Sequence, residues 1–224
     1  MMHNHRELII IIHSGGGNMG YRVRYRTNAI EMPRFRQSYQ DREKFMAFCR
    51  ECPRYDALWS CPPLSLDADK FLDAYGWVHL LCVRIDLEDK TIREADTAEK
   101  IRATGWDIVS TVKLDVEERL RRLETEIPDS LSLSSGGCNL CENCTRKTGA
   151  PCRQPDKMRY SLDAFGFDLT AITRDLFQIE ILWCRDRLPQ YFTLIHALLA
   201  QEPMPADRWA SVGLSPEESG KKAP

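Results

Sequence analysis

The sequence contains the stretch Cys138-Asn-Leu-Cys141-Glu-Asn-Cys144, which is preceded by Gly136-Gly137 and followed by Cys152. Written as spacing, the stretch is C-x2-C-x2-C-x7-C. Thiolates this close together are typical ligands of a soft metal ion or of an iron–sulfur cluster. Disulfides are the alternative explanation, and the remaining cysteines of the chain help to choose between the two.

A second group of cysteines lies upstream at Cys49, Cys52 and Cys61, with the spacing C-x2-C-x8-C-P-P. The chain has nine cysteines, an odd number. A secreted disulfide scaffold is usually shorter and has an even number. We therefore interpret the two groups as metal ligands in a reducing compartment, the cytoplasm. The two isolated cysteines, Cys82 and Cys184, are expected to be small core residues.

Two kinds of metal centre compete for the clustered cysteines. Structural zinc would take the C-x2-C pair that begins each group, and three cysteines would then have no role. The triplet within residues 138–144 instead matches the first three ligands of the bacterial ferredoxin pattern, which favours a [4Fe–4S] cluster. Cys152 follows at a longer spacing than the fourth ferredoxin cysteine, so its role stays open. The candidate metal ligands are Cys49, Cys52, Cys61, Cys138, Cys141, Cys144 and Cys152.

The number of clusters is open at this point. The four downstream cysteines can close one cluster, and the upstream three can hold a second one with an iron that lacks a protein thiolate. Alternatively, an upstream cysteine completes the cluster of the downstream triplet, or a single cluster leaves some cysteines spare. An iron with a free coordination position can bind a substrate and act as a Lewis acid.

Composition excludes several other classes of function. The chain has 224 residues, 43% hydrophobic and 29% charged, with a net charge of −2, as expected for one soluble globular domain. This balance gives no strong field for nucleic acid or for an acidic membrane. No apolar run approaches the roughly 18 residues that a membrane span needs. We expect no nucleic-acid or membrane partner, and a redox partner protein or a small-molecule substrate instead.

The sequence predicts a few strands and several helices. Residues 21–26 alternate as in a half-buried strand, and residues 77–87 are nearly continuously apolar, as in a central strand covered on both faces. Residues 179–184 and 191–199 are expected to form a hairpin. Helices are expected at residues 40–48, from Ser65 or Asp67 to 75, at 92–127, and from a Ser161 cap to 176.

These elements predict the α+β class, with a single domain that has a small mixed sheet, one long helix and cysteine-rich loops. We place this metal-binding domain at residues 21–201. Residues 1–20 are expected to be a poorly ordered leader, whose apolar run at 8–12 forms at most a short strand. Residues 202–224, rich in Pro, Ser, Glu and Lys, are expected to form a loose tail.

Around its cysteines the chain resembles a family of prokaryotic proteins described as predicted metal-binding proteins (domain of unknown function 2284), over roughly residues 21–199. Leu162 and Asp163 stand where Met and Glu are expected in that family. The resemblance implies a cytoplasmic metal protein of the iron–sulfur type, and it implies no particular reaction. The residues that carry it are Cys49, Cys52, Tyr55, Trp59, Cys61, Pro62 and Pro63 upstream, and Cys138, Cys141, Cys144, Cys152, Arg153, Pro155, Arg159, Tyr160, Ser161, Leu162, Asp163, Ala164, Gly166 and Asp168 downstream.

Three hypotheses of function follow from the cysteines. The first is an iron–sulfur protein in electron transfer or redox chemistry. The second is an enzyme that uses an open iron as a Lewis acid, for dehydration or sulfur removal. The third is a zinc-stabilised interaction module without catalysis. Neighbouring side chains can either support a cluster or serve as ordinary surface and core; they are the basic Arg54, Arg146, Lys147 and Arg153 and the aromatic Tyr55, Trp59 and Phe165.

Overall fold

A five-stranded sheet forms the centre of the protein in this computed structural model, which describes Leu8–Ile10 and residues 20–215. Its middle strand, β3 (Trp77–Leu87), is buried along most of its length, as the continuous apolar run predicts. Strands β2 (Tyr21–Glu31) and β5 (Tyr191–Ala200) flank it. The sheet order is β1-β2-β3-β5-β4, with β1 (Leu8–Ile10) and β4 (Leu131–Leu133) at the edges.

Helices cover both faces of this sheet. They are α1 (Met32–Tyr39), α2 (Arg42–Glu51), α3 (Ala68–Asp73), α4 (Asp89–Glu94), α5 (Ala98–Glu126), α6 (Leu169–Ile172) and α7 (Arg208–Ser211). The long helix α5 begins at Thr97, whose side chain accepts a hydrogen bond from the Lys100 N–H at 3.2 Å. Its buried stripe, which includes Ile108, Val112 and Val116, packs on one face of the sheet.

The opposite face packs against the shorter helices. Phe35 of α1 stacks on Phe167 with ring centroids 4.5 Å apart, and both side chains are fully buried. Leu72 of α3 lies in the same cluster with Val78 and Leu80 of β3. The sheet therefore separates two apolar cores, and the second contains Leu133 and Leu162, which flank the downstream cysteine loop.

The downstream cysteine loop leaves the sheet at the end of β4 and returns to the same place. The Ser134 N–H donates to the Tyr160 carbonyl at 2.7 Å, and Ser134 and Ser161 form an isolated parallel bridge. The two ends of residues 135–160 are therefore held together beside the edge of the sheet. The upstream cysteines lie at the end of α2 and in the segment that joins α2 to α3.

The α+β class is confirmed, and two predictions about strands are wrong. Every described strand pair is antiparallel, so the sheet is not mixed. Residues 179–184 form no strand, and β5 pairs with β3 and β4 instead of forming a hairpin. Ile179 is buried in the core below the sheet, so its apolar side chain serves packing and not strand pairing.

Several helix boundaries also differ from the prediction. The helix expected at residues 92–127 is divided into two, because α4 ends at Glu94 and α5 begins after its own N-cap, Thr97. The helix expected from Ser161 is replaced by a 3-10 turn (Asp163–Phe165), by α6 and by a π-helical turn (Thr173–Phe177). The cap of α6 is Asp168, which accepts a hydrogen bond from the Ala171 N–H at 2.9 Å.

The ends of the chain differ in part from the expected leader and tail. Leu8–Ile10 form a short strand, and the rest of residues 1–19 lies outside the described residues. Residues 202–215, expected to be loose, carry α7, because Trp209 and Leu214 are buried against α5. The remaining part of the expected tail, residues 216–224, also lies outside the described residues. Among the described residues, no helix combines the length and apolar character needed to cross a bilayer.

Candidate metal centre

The four downstream cysteines line the wall of one pocket. Cys138, Cys141, Cys144 and Cys152 all contribute to it, together with the indole of Trp59 from the upstream loop. The empty space within the pocket, including its open mouth, is about 360 Å³. The structure therefore brings Cys152 to the triplet despite its longer spacing.

A tight turn returns the chain from Cys144 to Cys152. Residues Thr145–Thr148 form a 3-10 turn that ends at Gly149, whose φ of +70° is readily adopted by glycine. The Thr145 hydroxyl then donates to the Pro151 carbonyl at 2.8 Å and fixes the chain just before Cys152. The seven residues between Cys144 and Cys152 thus form a turn, and Cys152 lines the same pocket as the other three cysteines.

Hydrogen bonds to sulfur are already present in this pocket. The Gln154 side-chain amide donates to the Cys141 sulfur at 3.4 Å and to the Leu140 carbonyl at 2.9 Å. Burial raises the pKa of Cys138, and a hydrogen bond from the Leu140 N–H opposes the rise. Donors aimed at sulfur stabilise the thiolate form, which is the form that binds metal.

The upstream cysteines form a separate group around Asp163. The N–H of Cys52 donates to the Cys49 carbonyl at 3.0 Å, so the end of α2 turns these two residues toward one another. Burial raises the pKa of Cys61 to about 11, and the charges of Asp163 and Cys52 contribute to the rise. Burial also raises the pKa of Cys49, again with contributions from Asp163 and Cys52. Three thiols and one carboxylate therefore lie within electrostatic reach of each other.

The two cysteine groups lie against each other. The buried Ser60 hydroxyl accepts a hydrogen bond from the Cys138 N–H at 2.9 Å, and its oxygen lies 4.0 Å from the Cys61 sulfur. The Trp59 indole N–H is shared between the Thr145 hydroxyl and the Ala150 carbonyl, each at 3.3 Å. One short segment of the upstream loop thus contacts both groups.

Arg146 fastens the upstream loop from the downstream side. Its guanidinium donates to the carbonyls of Leu58 at 3.3 Å, Cys61 at 3.2 Å and Pro63 at 2.6 Å. It also pairs with Asp56 at 2.8 Å. Only 10% of the Arg146 side chain is exposed, so this residue is a structural clamp and not part of a solvated surface.

A buried ion pair supports Cys138 from the side of α5. The Lys113 ammonium lies 3.5 Å from the Glu117 carboxylate and donates to the Gly137 carbonyl, and both side chains are buried. The Ser134 hydroxyl donates to the same carboxylate of Glu117. Burial lowers the pKa of Lys113, and the charges of Glu117 and Cys138 oppose this change. Charged groups are almost never buried this deeply without partners, and these four residues satisfy each other.

The remaining residues singled out in the sequence have different roles. Arg54 lies over the Trp106 ring at 5.7 Å and shares an open groove with Lys147 beside Cys138. Arg153 donates to the Asn143 carbonyl at 3.3 Å within the cysteine loop. Phe165 is a core residue, stacked on Phe71 with centroids 5.1 Å apart. Tyr55 lines a separate groove with Pro62 and Pro63.

The two isolated cysteines have opposite environments. Cys82 is buried in β3, as expected. The prediction for Cys184 is wrong, because this residue is exposed in a segment that forms no strand. Neither belongs to the two groups of clustered cysteines.

Sequence analysis missed Ser60, Lys113 and Asp163 as parts of the site. A lysine and a glutamate four residues apart on the apolar stripe of α5 were the available signal for Lys113. Ser60 gave no signal of its own, and Asp163 stood out only within the segment that resembles the family, since only the tertiary fold places the two residues beside cysteines. Within the described residues, no three His, Cys, Asp or Glu side chains converge closely enough to hold a single metal ion.

Together, the sheet, the four-thiol pocket and the three-thiol group define an α+β protein with a candidate metal centre at its clustered cysteines. The chain belongs to the family of predicted metal-binding proteins (DUF2284), whose family model matches residues 36–199. The matched region contains both cysteine groups and the Asp163 turn. No curated protein and no solved structure matches the chain at a significant level.

Proposed function

We propose that the protein is a [4Fe–4S] protein with an electron-transfer or redox role. The observation that carries the proposal is the pocket lined by Cys138, Cys141, Cys144 and Cys152. A cubane cluster takes one thiolate at each of its four irons, so its ligands must surround a volume and not converge on a point. Four thiols around one pocket suit this requirement.

The grouping of the cysteines supports two centres in preference to one. Among the described residues, the four-thiol pocket includes neither Cys49 nor Cys52. The zinc site considered from the sequence would need those two residues beside Cys138 and Cys141. The upstream thiols instead share their surroundings with Asp163. A second centre at the upstream group accounts for all seven clustered cysteines.

Side chains around the pocket are suited to a redox cluster. A bound cluster would supply a one-electron couple, whose potential depends on hydrogen bonds to sulfur and on exposure to water. Gln154 donates to the Cys141 sulfur, and Trp59 covers one side of the pocket. Ser60 joins the two cysteine groups through its contacts to Cys138 and Cys61, so electrons would have a short path between two centres.

The groove beside the pocket is suited to a redox partner or a small anionic substrate. It is lined by Arg54, Lys147 and the half-exposed Trp106, and it reaches the backs of Cys138, Cys141 and Cys144. Positive side chains around an apolar ring attract an acidic or anionic partner. We place docking in this groove, in a reducing cytoplasm that keeps the thiols available.

An enzyme is the second candidate, because the upstream group has only three thiols. An iron without a thiolate can bind and polarise a substrate, as in a dehydration or a sulfur-removing reaction. A change in the electron paramagnetic resonance (EPR) spectrum of the reduced protein on addition of a small hydroxy acid would favour this candidate over simple electron transfer.

Anaerobic purification followed by iron, sulfide and zinc analysis tests the proposal. We expect brown protein with a broad absorption band near ~400 nm and about four irons and four sulfides per cluster. The Cys144→Ser variant should lose one cluster, whereas Cys184→Ser, at the exposed cysteine outside both groups, should keep the full content. Colourless protein with stoichiometric zinc would overturn the proposal.

A further inference from the structure

One oxygen of the Asp163 carboxylate is buried without a hydrogen-bond partner among the described residues, and Asp163 belongs to a turn that packs on α2, the helix that carries Cys49. We propose that this carboxylate is the fourth protein ligand of the upstream centre, together with Cys49, Cys52 and Cys61. The proposal rests on the function proposed above, and it assigns a chemical identity to the coordination position that the three thiols leave open.

The backbone holds Asp163 against the helix that carries Cys49. Asp163 begins the 3-10 turn that ends at Gly166, and the Gly166 carbonyl accepts a hydrogen bond from the Asp41 N–H at 2.9 Å. A Cβ atom at Gly166 would lie 2.7 Å from the Cα atom of Arg42 in the first turn of α2. Only glycine permits this approach, which brings the turn onto α2.

Cys49 lies on the same side of α2 as that contact. Residues 42 and 49 are seven positions apart, so their side chains point to one face of the helix, two turns along it. The Gln40 side chain donates to the Phe165 carbonyl at 3.0 Å and holds the same end of the turn against the start of α2. The position of Asp163 beside the upstream cysteines is therefore built into the fold and is not an accident of a flexible side chain.

The burial of the Asp163 carboxylate favours a bound cation. Oδ1 of Asp163 is buried and has no hydrogen-bond partner among the described residues. A buried carboxylate oxygen without a partner costs free energy that a hydrogen bond or a cation normally offsets. A metal centre bound by this carboxylate would offset that cost.

The Asp163 carboxylate does not cap a helix, because another residue has that role. The cap of the following helix α6 is Asp168, whose side chain accepts from the Ala171 N–H. The N-cap of the Asp163–Phe165 turn is Leu162, and the turn has no side-chain cap. Carboxylate is a harder ligand than thiolate and binds iron less firmly than cysteine does. The iron bound by Asp163 would therefore be the exchangeable iron of the upstream cluster.

Oxidation of the purified holoprotein by ferricyanide tests this assignment. In a cluster with one weak ligand, ferricyanide accepts one electron and Fe²⁺ leaves, so that [4Fe–4S]²⁺ becomes [3Fe–4S]⁺, which has its own EPR signal. We expect this signal in the wild type. Asp163→Cys should reduce it at least fivefold, because a thiolate retains the fourth iron. Asp163→Asn should give the signal at a lower dose of oxidant.

Asp168→Asn is the matched control, because asparagine caps a helix as well as aspartate does. It should oxidise like the wild type. Equal signals in the wild type, Asp163→Cys and Asp163→Asn would overturn the assignment of Asp163 while leaving the proposed function intact. A wild type without iron and sulfide would overturn both, and a wild type whose two clusters both resist iron loss would overturn the ligand assignment alone.

Discussion

The Ser60 hydroxyl accepts a hydrogen bond from the backbone N–H of Cys138 at 2.9 Å, although the two residues lie 78 positions apart. This bond joins the first residue of the downstream motif to the residue before Cys61. It connects two loops that have little apolar core of their own. The connection makes Ser60 the natural place to test whether the two cysteine groups act as one unit.

Ser60→Ala should loosen both groups. The variant leaves the Cys138 N–H without its acceptor in a buried place, which costs about 1–3 kcal/mol. We expect a lower urea midpoint and faster loss of metal to a chelator, measured by absorbance. Ser65→Ala, at an exposed serine of the same loop, is the control and should behave like the wild type. Equal rates of metal loss in the two variants would show that the bond does not matter.

Arg146→Lys should destabilise the upstream loop although it conserves the charge. A lysine cannot donate in three directions at once to the carbonyls of Leu58, Cys61 and Pro63. We expect a loss of about 2 kcal/mol in the free energy of unfolding. Lys147→Ala removes a neighbouring charge that is exposed and should change little. A stable Arg146→Lys protein would contradict the role of a clamp.

Lys113→Met should be more harmful than the double variant Lys113→Met/Glu117→Gln. The single change leaves the Glu117 carboxylate buried without its cation, which typically costs about 3–5 kcal/mol. The double change removes both charges, so part of this cost is recovered. Chemical unfolding of both variants measures the difference. If the single variant is the more stable of the two, the two charges do not support each other as described.

His196 should make the fold sensitive to acid. Burial lowers the pKa of His196 to about 3, and the charge of Lys113 acts in the same direction. Below the usual histidine pKa of about 6.5, the unfolded chain binds a proton that the folded protein does not. Stability should therefore be fully present above about pH 6.5 and fall by at most about 1.4 kcal/mol per pH unit toward pH 3.

Urea unfolding at pH 7 and pH 5 measures this effect. His196→Leu should reduce the difference between the two values. Neither ring nitrogen of His196 has a hydrogen-bond partner in the described part of the chain, so an apolar side chain leaves nothing unpaired. His79, whose ring nitrogen accepts from the Met204 N–H at 3.1 Å, would still titrate in both proteins. An unchanged difference in His196→Leu would assign the acid sensitivity to other groups.

Gly166→Ala and Gly149→Ala separate backbone strain from close contact. Both glycines have positive φ, +81° and +70°, so alanine costs about 1–2 kcal/mol at either position. Only at Gly166 would the new Cβ meet a backbone atom, the Cα of Arg42 at 2.7 Å, whereas Gly149 has open space. We expect the Gly166 variant to lose clearly more thermal stability and upstream metal. Equal losses would mean that the contact with α2 is dispensable.

Local sequence patterns correctly predicted the strands whose burial is visible in the order of their apolar and polar side chains. The apolar run at Trp77–Leu87 and the alternation from Tyr21 both gave strands, because burial on two faces or on one face leaves a direct imprint on the side chains. Residues 179–184 carry similar side chains, yet Ile179 packs in the core while Trp183 is largely exposed. Strand pairing depends on which edge is free, and the sequence does not contain this information locally.

The two groups of cysteines could be recognised in the sequence because the spacing of candidate ligands is a local property. The grouping of those cysteines was not, since Cys152 joins the triplet only through the turn at Gly149. The α1 helix was also missed, although Pro33 at its first turn is a common start signal. Asp163 lies in the segment that resembles the family, but its place near the upstream cysteines depends on the approach of Gly166 to α2.

The bridge between Ser134 and Ser161 has a consequence for how the holoprotein matures. Backbone pairing beside the sheet holds the two ends of residues 135–160 together. This pairing therefore offsets the entropy cost of closing the loop before any ligand binds. The sheet and α5 can therefore form first, and cofactor insertion can follow as a separate event on a finished scaffold. Binding or loss of the cofactor would then leave the underlying fold intact.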